Sequence, residues 1–394
     1  MLGKASRCQK RGPDCSCLKM LSNTFYNVMK TIGIAGGGQL GRMLTEAAHA
    51  LGDKVVILDP THNAPASHIA DQHIVADFKD AKSMEELASH CDVITFEIES
   101  ANASALETLG KRGFPVHPTP KTLSIIKDKW VQKTFLVEHG IPVAPFCLVE
   151  EAEKQLGYPC IVKARSGGYD GRGNALVRSE KEMQEAKEKL GERVYAEGLV
   201  HFEKELAIVA ARTSTGEIVV YPLVETIHKN HICHEVLAPA PVSDVIAKKA
   251  HDLAERVLSA FDGAGVFAIE MFLADGEVLV NEVAPRVHNS GHFTIEACET
   301  SQFENHIRAV TGVKLGSSAL KVGAAVMINI LGERSGPADP RGITEAETVP
   351  GVSVHIYGKM ETRPERKMGH LTAVAHTLEE ARKNANRART YISI

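Results

Sequence analysis

Near the start of the chain, a strand, a glycine-rich turn, a helix and a second strand follow one another without interruption. The apolar run Thr31–Ala35 leads into the sequence GGGQLG, an amphipathic segment follows, and the apolar run Lys54–Leu58 completes the unit. Strand–helix–strand units build parallel sheets that are covered by helices. We therefore expect residues 29–120 to form a small Rossmann-like domain.

The sequence GGGQLG also satisfies the GxGxxG pattern of dinucleotide-binding turns. Asp59 follows Gly41 by 18 residues, close to the spacing of the acidic residue that binds the ribose of NAD. Two interpretations are open: an NAD-dependent dehydrogenase, or glycines that only permit a tight turn and close packing of helix on strand. No motif further along the chain supplies hydride-transfer chemistry, so the dehydrogenase is the alternative and not the first choice.

The rest of the chain divides into two further parts. The two prolines of HPTPKTL predict a domain boundary near residue 120. Residues 121–315 mix long helical stretches with β-rich runs, which is typical of an α+β domain, and residues 316–394 alternate apolar strands with turns before a polar helix, Leu378–Arg389. The expected fold thus joins α/β and α+β parts: a Rossmann-like N-terminal domain, a central domain and a small β-rich C-terminal domain.

Composition argues against several classes of protein. The 394 residues are 44% hydrophobic and 24% charged, as in ordinary globular domains. No apolar stretch is long enough to span a bilayer, and a net charge of −4 provides no general attraction for a nucleic acid. The eight cysteines are scattered, which favours free thiols. We expect a cytoplasmic protein without membrane or nucleic-acid partners.

The first 28 residues differ from the rest because they are basic, poor in acidic residues and rich in cysteine. They have no apolar core of a secretory signal, and Met29 stands directly before the first strand. We expect residues 1–28 to be disordered or artefactual. Two alternatives remain open, a targeting segment and metal binding through Cys15 and Cys17.

Lys163 lies in a predicted strand, Cys160–Ala164, that is followed at once by the glycine-rich loop SGGYDGRGN. Such a loop can fold over phosphates while the lysine neutralises them. It is not a P-loop, because no Gly-Lys-Ser or Gly-Lys-Thr closes it. An ordinary glycine-rich hairpin is the alternative, which Asp170 and Arg172 within the loop disfavour.

A second hairpin carries three oxygen-bearing side chains, Glu270, Asn281 and Glu282, on two strands joined at Asp275-Gly276. Oxygen ligands on adjacent strands suit Mg²⁺ when it also bridges phosphates. A two-residue turn would place Asn281 opposite Glu270, whereas a three-residue loop would bring Glu282 onto that face. The sequence leaves both registers open. A solvated edge hairpin is the alternative.

His228, His231 and His234 recur at every third position, a spacing that could indicate zinc. No thiol or carboxylate completes a second half of such a site, so we do not expect a metal there.

Four motifs together carry a family resemblance: GGGQLGRM, GGYDGRGN, NEVAPRVHNSGH and RPERKMGHLT, in this order. On these motifs, over about residues 29–394, the chain resembles the ATP-grasp superfamily and, within it, the 5-(carboxyamino)imidazole ribonucleotide synthetase family of purine biosynthesis. The resemblance implies a central ATP-grasp domain. It also implies a homodimeric ATP-dependent carbon–nitrogen ligase that carboxylates 5-aminoimidazole ribonucleotide with bicarbonate and releases ADP and phosphate.

The resemblance implies the site residues position by position. ATP would contact Lys129, Lys163, Gly168, Tyr169, Asp170, Gly171, Arg172, Gly173, Asn174, Glu197, Gly198, Leu199, Val200, Glu205, His228, Asn281 and Glu282, with Glu205 on the ribose and His228 near the phosphates. Glu270 and Glu282 would bind Mg²⁺. The ribonucleotide would contact Gln39, Leu40, Glu97, Tyr169, Asp170, Arg172, His288 and Asn289, and its phosphate would contact Lys359, Arg366 and Lys367. Glu99 competes with Glu97, because both lie on the same face of one strand.

The expected chemistry agrees with these assignments. Bicarbonate is a poor electrophile, so ATP would activate it as carboxyphosphate, and cations such as Arg286 and Arg172 would stabilise the developing charge. Asp170 would accept a proton from the exocyclic amine, or else only hold the closed loop by a hydrogen bond. Within the superfamily, a biotin carboxylase or a formate-dependent ribonucleotide formyltransferase is the nearest rival. The absence of a biotin-carrier segment and the presence of RPERKMGHLT argue against both.

Lys359, Arg363, Arg366 and Lys367 crowd a nine-residue stretch near the end of the chain. Such a stretch is either a solvated basic turn or a grip for the ribonucleotide phosphate, and we favour the second interpretation.

Overall fold

The computed structural model describes residues 29–167 and 173–394. The N-terminal part is a four-stranded parallel sheet in the order β3-β2-β1-β4. Its elements are β1 (Thr31–Ala35), α1 (Gln39–Ala50), β2 (Lys54–Leu58), β3 (Gln72–Ile74), α2 (Ala81–Ser89), β4 (Val93–Phe96) and α3 (Ala103–Lys111). After α3, Val116 forms a single parallel bridge with Ile94 of β4.

Two helices and a four-stranded antiparallel sheet follow. The sheet has the order β5-β8-β6-β7. The elements are α4 (Pro120–Lys127), α5 (Lys129–Glu138), β5 (Phe146–Cys147), α6 (Ala152–Gln155), β6 (Cys160–Ala164), β7 (Asn174–Val177), α7 (Glu180–Leu190) and β8 (Val194–Gly198). The side chain of Asp128 caps α5 by accepting hydrogen bonds from the first turn.

The largest sheet has nine strands, in the order β14-β13-β9-β11-β12-β15-β19-β17 with β10 on β9. Its strands are β9 (Lys204–Arg212), β10 (Ile218–Val220), β11 (Val224–Lys229), β12 (Ile232–Ala238), β13 (Gly265–Ala274), β14 (Glu277–Ala284), β15 (Ala324–Leu331), β17 (Val352–Ile356) and β19 (Lys367–Ala375). A separate pair is formed by β16 (Gly336–Pro337) and β18 (Glu361–Thr362). The helices are α8 (Asp244–Ala260), α9 (Thr294–Ala297), α10 (Gln302–Thr311), α11 (Ile343–Glu347) and α12 (Leu378–Arg389).

The large sheet joins the central and C-terminal parts of the chain, because β12 pairs with β15 along four residues. Helices cover both faces. Helix α8 buries Ala250, Leu253, Ala254, Val257 and Leu258, the spacing of one helical stripe, against one face. Helix α10 covers part of the other face, and α1 packs against α10. The expected combination of α/β and α+β parts is confirmed.

Two further findings bear on the sequence-based expectations. Among the described residues, no helix has both the length and the apolar character needed to cross a membrane. The expectations for residues 1–28, including Cys15 and Cys17, lie outside the described part of the chain.

Candidate active site

The β13–β14 hairpin combines a two-residue turn with a β-bulge. Ala274 pairs with Glu277 across Asp275-Gly276, and the regular register continues as far as Met271 and Val280. The register then shifts, so that Asn281 is the extra residue and Glu282 lies opposite Glu270. Our premise that turn length alone decides the register was wrong, because a bulge adds one residue to one strand and moves the next side chain across. The two carboxylates therefore face one another.

These two carboxylates have different neighbours, an ammonium in one case and an imidazole in the other. Lys129 Nζ lies 2.7 Å from Oε2 of Glu282, while His288 Nε2 lies 3.5 Å from Oε1 of Glu270. Burial acts to raise the pKa of Glu282, but the ammonium of Lys129 outweighs it and lowers that pKa. Burial raises the pKa of Glu270, and the charge of Glu282 raises it further. The pair thus concentrates negative charge that a cation would neutralise.

Two lysines, the buried Lys133 and the partly buried Lys163, converge on Glu197 in β8. Its Oε1 atom lies 3.0 Å from Lys163 Nζ and 3.3 Å from Lys133 Nζ. Lys163 also donates to Oδ1 of Asn281 at 3.3 Å, which connects the four-stranded sheet to the bulge. Burial acts to raise the pKa of Glu197, but the two lysines outweigh it and lower that pKa. The side chain of Glu197 is thus engaged by lysines.

Helix α5 holds the edge strand β14 on both sides of the bulge. Gln132 accepts from the backbone N–H of Val283 at 2.8 Å and donates to its carbonyl at 3.0 Å. Lys133 donates to the carbonyl of Val280 at 3.4 Å. Gln132 and Lys133 are almost fully buried. Sequence reasoning missed both, although the four-residue spacing of Lys129 and Lys133 places them on one helix face.

An ion pair and an apolar surface lie on the neighbouring strands. Nδ1 of His228 contacts Oε2 of Glu205. Burial lowers the pKa of His228, but Glu205 outweighs it and raises that pKa. Phe272 is paired with Glu205 across the strands, and its ring stacks on Phe202 with centroids 4.9 Å apart. Leu279 is opposite Phe272 on β14. Sequence reasoning missed this apolar surface, because nothing distinguishes it from core residues.

The glycine turn before α1 is tied down by carboxylates. Glu97 Oε1 accepts from the N–H of Gly38 at 2.8 Å, and Asp59 Oδ2 accepts from the N–H of Gly37 at 2.8 Å. Gly36 has a φ of +105°, and a Cβ there would lie 2.7 Å from Glu97. Asp59 is also buried, with 8% exposure. The acid expected to bind an NAD ribose therefore holds the turn instead, as the alternative interpretation of the glycines had it.

Glu97 and Glu99 have separate partners. Arg286 Nη2 lies 3.0 Å from Oε1 of Glu99, whereas Glu97 caps the glycine turn. Burial raises the pKa of Glu97, opposed by the Gly38 N–H and by the charge of Arg286. Gln39 and Leu40 begin α1 directly after this turn. Glu99 thus links the N-terminal domain to the segment that follows β14, while Glu97 holds the turn within that domain.

The segment after Arg286 is held by amide side chains. Asn289 and Asn329 exchange hydrogen bonds of 2.9 and 2.7 Å between their side chains. Gln302 accepts from the backbone N–H of His288 at 2.9 Å, and burial lowers the pKa of His288 well below its ordinary value. His288 is therefore neutral and next to Glu270.

The basic stretch of the C-terminal domain approaches the glycine turn. Lys359 Nζ donates to the carbonyl of Lys367 at 2.6 Å, and Arg366 Nη1 donates to the carbonyl of Glu361 at 2.5 Å. Burial lowers the pKa of Lys359 to about 8, and the charge of Arg366 adds to this effect. The negative charge of Glu97 opposes this decrease in the pKa of Lys359. The basic stretch is therefore close enough to the N-terminal domain for the two charges to interact. A Cβ on Gly358 would lie 3.3 Å from Nη1 of Arg42 in α1.

Comparisons with protein families agree with this arrangement. Residues 29–127 match the ribonucleotide synthetase preATP-grasp domain, residues 134–303 the ATP-grasp domain, and residues 325–384 the phosphoribosylaminoimidazole carboxylase C-terminal domain. The N5-carboxyaminoimidazole ribonucleotide synthase of Synechocystis is 40% identical over 89% of this chain and 93% of its own length. The chain belongs to the N5-carboxyaminoimidazole ribonucleotide synthase family.

Solved structures of this family have the same fold. The synthetase from Thermotoga maritima superposes with a TM-score of 0.86 at 45% identity, covering 93% of this chain and 99% of that one. The Aspergillus clavatus enzyme, in complex with ADP and 5-aminoimidazole ribonucleotide, gives a TM-score of 0.85 at 37% identity, covering 92% of this chain and 98% of that one. The phosphoribosylaminoimidazole carboxylase of Ogataea methanolica is 45% identical over 90% of this chain. This chain spans about two thirds, 65 to 68%, of the length of that protein and other fungal relatives.

The expected family and enzyme class, an ATP-dependent ligase of purine biosynthesis, are thus confirmed. The dehydrogenase alternative was wrong, since the matches to family models and to solved structures identify a ligase. Among the predicted site residues, Gly168, Tyr169, Asp170, Gly171 and Arg172 lie outside the described part of the chain.

Five other predicted ATP residues lie on or next to strands of the four-stranded antiparallel sheet. Asn174 is paired with Lys163 on β6 and β7, and the carbonyl of Gly173 accepts from the N–H of Ala164 at 2.7 Å. Gly198 ends β8, and the half-buried Leu199 and Val200 follow it. Their contacts with a ligand stay predictions.

Proposed function

We propose that this chain carboxylates 5-aminoimidazole ribonucleotide to 5-(carboxyamino)imidazole ribonucleotide, with bicarbonate as carbon donor and ATP as energy source. One observation carries the proposal. The bulge in β14 turns Glu282 toward Glu270, next to Lys129 and Lys163, in the segment that matches an ATP-grasp domain. Carboxylates beside lysines on facing sheets suit a metal-bound polyphosphate.

ATP would lie between the two antiparallel sheets. Lys163 and Lys129 would take its phosphates, and Glu205 would take the ribose hydroxyls. The stacked rings of Phe272 and Phe202, together with Leu279, form an apolar surface beside Glu205 that suits a purine. We also expect the backbone of residues 197–200 and the sequence at 168–174 to contact ATP.

Glu270 and Glu282 would hold Mg²⁺, with the amide oxygen of Asn281 beside them. Their fit to a divalent cation is supported by the raised pKa of Glu270, due to burial and to the like charge of Glu282. Residues 29–167 and 173–394 contain no cluster of three or more His, Cys, Asp and Glu side chains arranged to hold a metal. The remaining ligands would therefore be phosphate oxygens and water, as is usual for Mg²⁺. The ion would neutralise the phosphate charge.

The ribonucleotide would lie between the glycine turn and the C-terminal basic stretch. Its phosphate would contact Lys359, Arg366 and Lys367, and its base would lie near Glu97, His288 and Asn289 and near Gln39-Leu40 at the start of α1. Support comes from the electrostatic coupling of Lys359 to Glu97. This position would direct the exocyclic amine toward the phosphates of ATP.

In the reaction, an oxygen of bicarbonate would attack the γ-phosphorus of ATP and give carboxyphosphate and ADP. The amine of the ribonucleotide would then attack the carboxyl carbon, the C–O bond to phosphate would break, and the amine proton would pass to a base, for which we propose Asp170. Arg286 and Arg172 would stabilise the developing negative charge. Closure of the site would protect carboxyphosphate from water.

Three further predictions accompany this proposal, on domain boundaries, oligomeric state and location. We expect domains at 29–120, 121–315 and 316–394, a homodimer, and a cytoplasmic location. Sedimentation velocity tests the dimer, limited proteolysis tests the boundaries, and fractionation of tagged protein tests the location.

Phosphate release tests the proposed function. With ATP and bicarbonate present, release should depend on added aminoimidazole ribonucleotide. A biotin carboxylase would require biotin instead, and a formyltransferase would require formate in place of bicarbonate. Release that is indifferent to both bicarbonate and the ribonucleotide would contradict the proposal.

A further inference from the structure

Lys133 is a buried cation that the proposed chemistry does not use. Its side chain is 2% exposed, so it cannot contact a ligand in the open space between the sheets. It lies on α5, one helical turn after Lys129, and its ammonium contacts Glu197 at 3.3 Å and the carbonyl of Val280 at 3.4 Å. A lysine at such a depth is uncommon, because its charge needs a partner.

Glu197 is the partner, and Lys133 shares it with Lys163. Both ammonium groups contact the same oxygen, Oε1, at 3.3 and 3.0 Å, while the hydroxyl of Tyr195 donates to Oε2 at 3.2 Å. Two cations and one carboxylate leave this group with one net positive charge. The side chain of Lys163 is 13% exposed and that of Lys133 is 2% exposed. An anion can therefore reach the surplus positive charge through Lys163.

Removal of Lys133 would change that balance. Glu197 and Lys163 would then form a pair with no net charge. Lys163 would be the one remaining lysine on Oε1 of Glu197, so the carboxylate would hold its ammonium more strongly. A phosphate approaching Lys163 would meet less positive charge and would compete with Glu197 for the same protons.

We propose that Lys133 is a positioning residue for nucleotide binding, which neutralises Glu197 and so leaves the charge of Lys163 available to phosphate. The inference rests on the proposed function, because ATP is the anion concerned. Burial lowers the pKa of Lys133 to about 8, with Glu197 opposing that effect, so the lysine is charged at pH 7. The contact with Val280 also joins this charge group to the bulge that orients Glu282.

The test is the dissociation constant of MgADP, measured by calorimetry on the full chain at pH 7. Lys133→Met should weaken binding roughly 10- to 100-fold, the scale of one charge-assisted hydrogen bond. Adding Glu197→Gln to Lys133→Met removes the competing carboxylate and should bring the constant back to within about threefold of wild type. Lys127→Met, at an exposed lysine just before α5, is the matched control and should bind as wild type does.

Failure of the proposed role of Lys133 and failure of the proposed function would give different results. Unchanged binding by Lys133→Met, or a loss that Glu197→Gln does not restore, overturns the role of Lys133. A purely structural role would lower the melting temperature of both variants without the recovery of binding. If Lys133→Met alone does not fold, the double variant is compared with Glu197→Gln, and a tenfold or larger difference between them overturns the role. Failure of wild type to bind MgADP would contradict the proposed function instead.

Discussion

Lys129 forms an ion pair with Glu282, one of the two carboxylates that we propose bind the metal. Replacing Lys129 with an uncharged residue should therefore increase the affinity for a metal ion in the absence of nucleotide. The ammonium lies 2.7 Å from Oε2 of Glu282, and both side chains are partly buried, at 18% and 30% exposure. A divalent cation must displace this contact to reach Glu282. A hydrogen bond between charged groups contributes about 1.5–3 kcal/mol. Lys129→Met should therefore tighten binding of a bare cation roughly 10- to 150-fold.

Mn²⁺ is a suitable probe, because its free and bound forms differ in their electron paramagnetic resonance spectra. Wild type and Lys129→Met would be titrated with Mn²⁺ at pH 7 without nucleotide. Adding Glu282→Gln to Lys129→Met should remove the gain, since an amide carries no negative charge. Lys127→Met controls for a general loss of positive charge near the site. Equal or weaker Mn²⁺ binding by Lys129→Met would refute the reasoning.

Four further outcomes are expected. Glu282→Gln should keep the melting temperature within a few degrees and nearly abolish turnover, and normal turnover at saturating Mg²⁺ would remove it from the metal site. Arg366→Met should raise the KM for the ribonucleotide about 10- to 150-fold with little change in the KM for ATP; a defect confined to ATP would place the phosphate elsewhere. Burial lowers the pKa of Lys359 to about 8, so the KM for the ribonucleotide should be flat below pH 8 and rise above it as the ammonium loses its proton. In Lys359→Met the KM for the ribonucleotide should be high at every pH, without this rise. Burial lowers the pKa values of His306 and His292 to about 3, so the unfolded chain binds more protons between the ordinary pKa of ~6.5 and that value. Each should cost up to ~1.4 kcal/mol of stability per pH unit on acidification over this range, and a melting temperature that is constant between pH 7 and 5 would contradict this.

Much of the fold could be predicted from local pattern. The strand bounds Thr31–Ala35, Lys54–Leu58 and Cys160–Ala164 agree with the structure, because apolar runs bounded by glycine or charge leave few alternatives. The continuation of the central sheet into the C-terminal strands was not predicted. It depends on the pairing of β12 with β15, strands about 90 residues apart, and no local pattern encodes such a pairing.

In the candidate site, too, some residues could be predicted from local sequence and others could not. Charged residues in motifs, such as Lys163 and Glu270, could be named in advance because their chemistry is visible in the sequence. The bulge at Asn281 could not, because Gln132 and Lys133 hold it from a helix almost 150 residues earlier. The partner of Glu97 could not be predicted either, since the hydrogen bond to Gly38 depends on how the glycine turn closes.

The central claim is that ATP activates bicarbonate by phosphorylating it. Bicarbonate labelled with ¹⁸O tests this directly, because attack of the amine on carboxyphosphate breaks the C–O bond and leaves one bicarbonate oxygen on the phosphate. Mass spectrometry of the released phosphate should find one ¹⁸O atom per molecule, formed only when the aminoimidazole ribonucleotide is turned over. Phosphate without ¹⁸O, released in step with carboxylated product, would contradict the account.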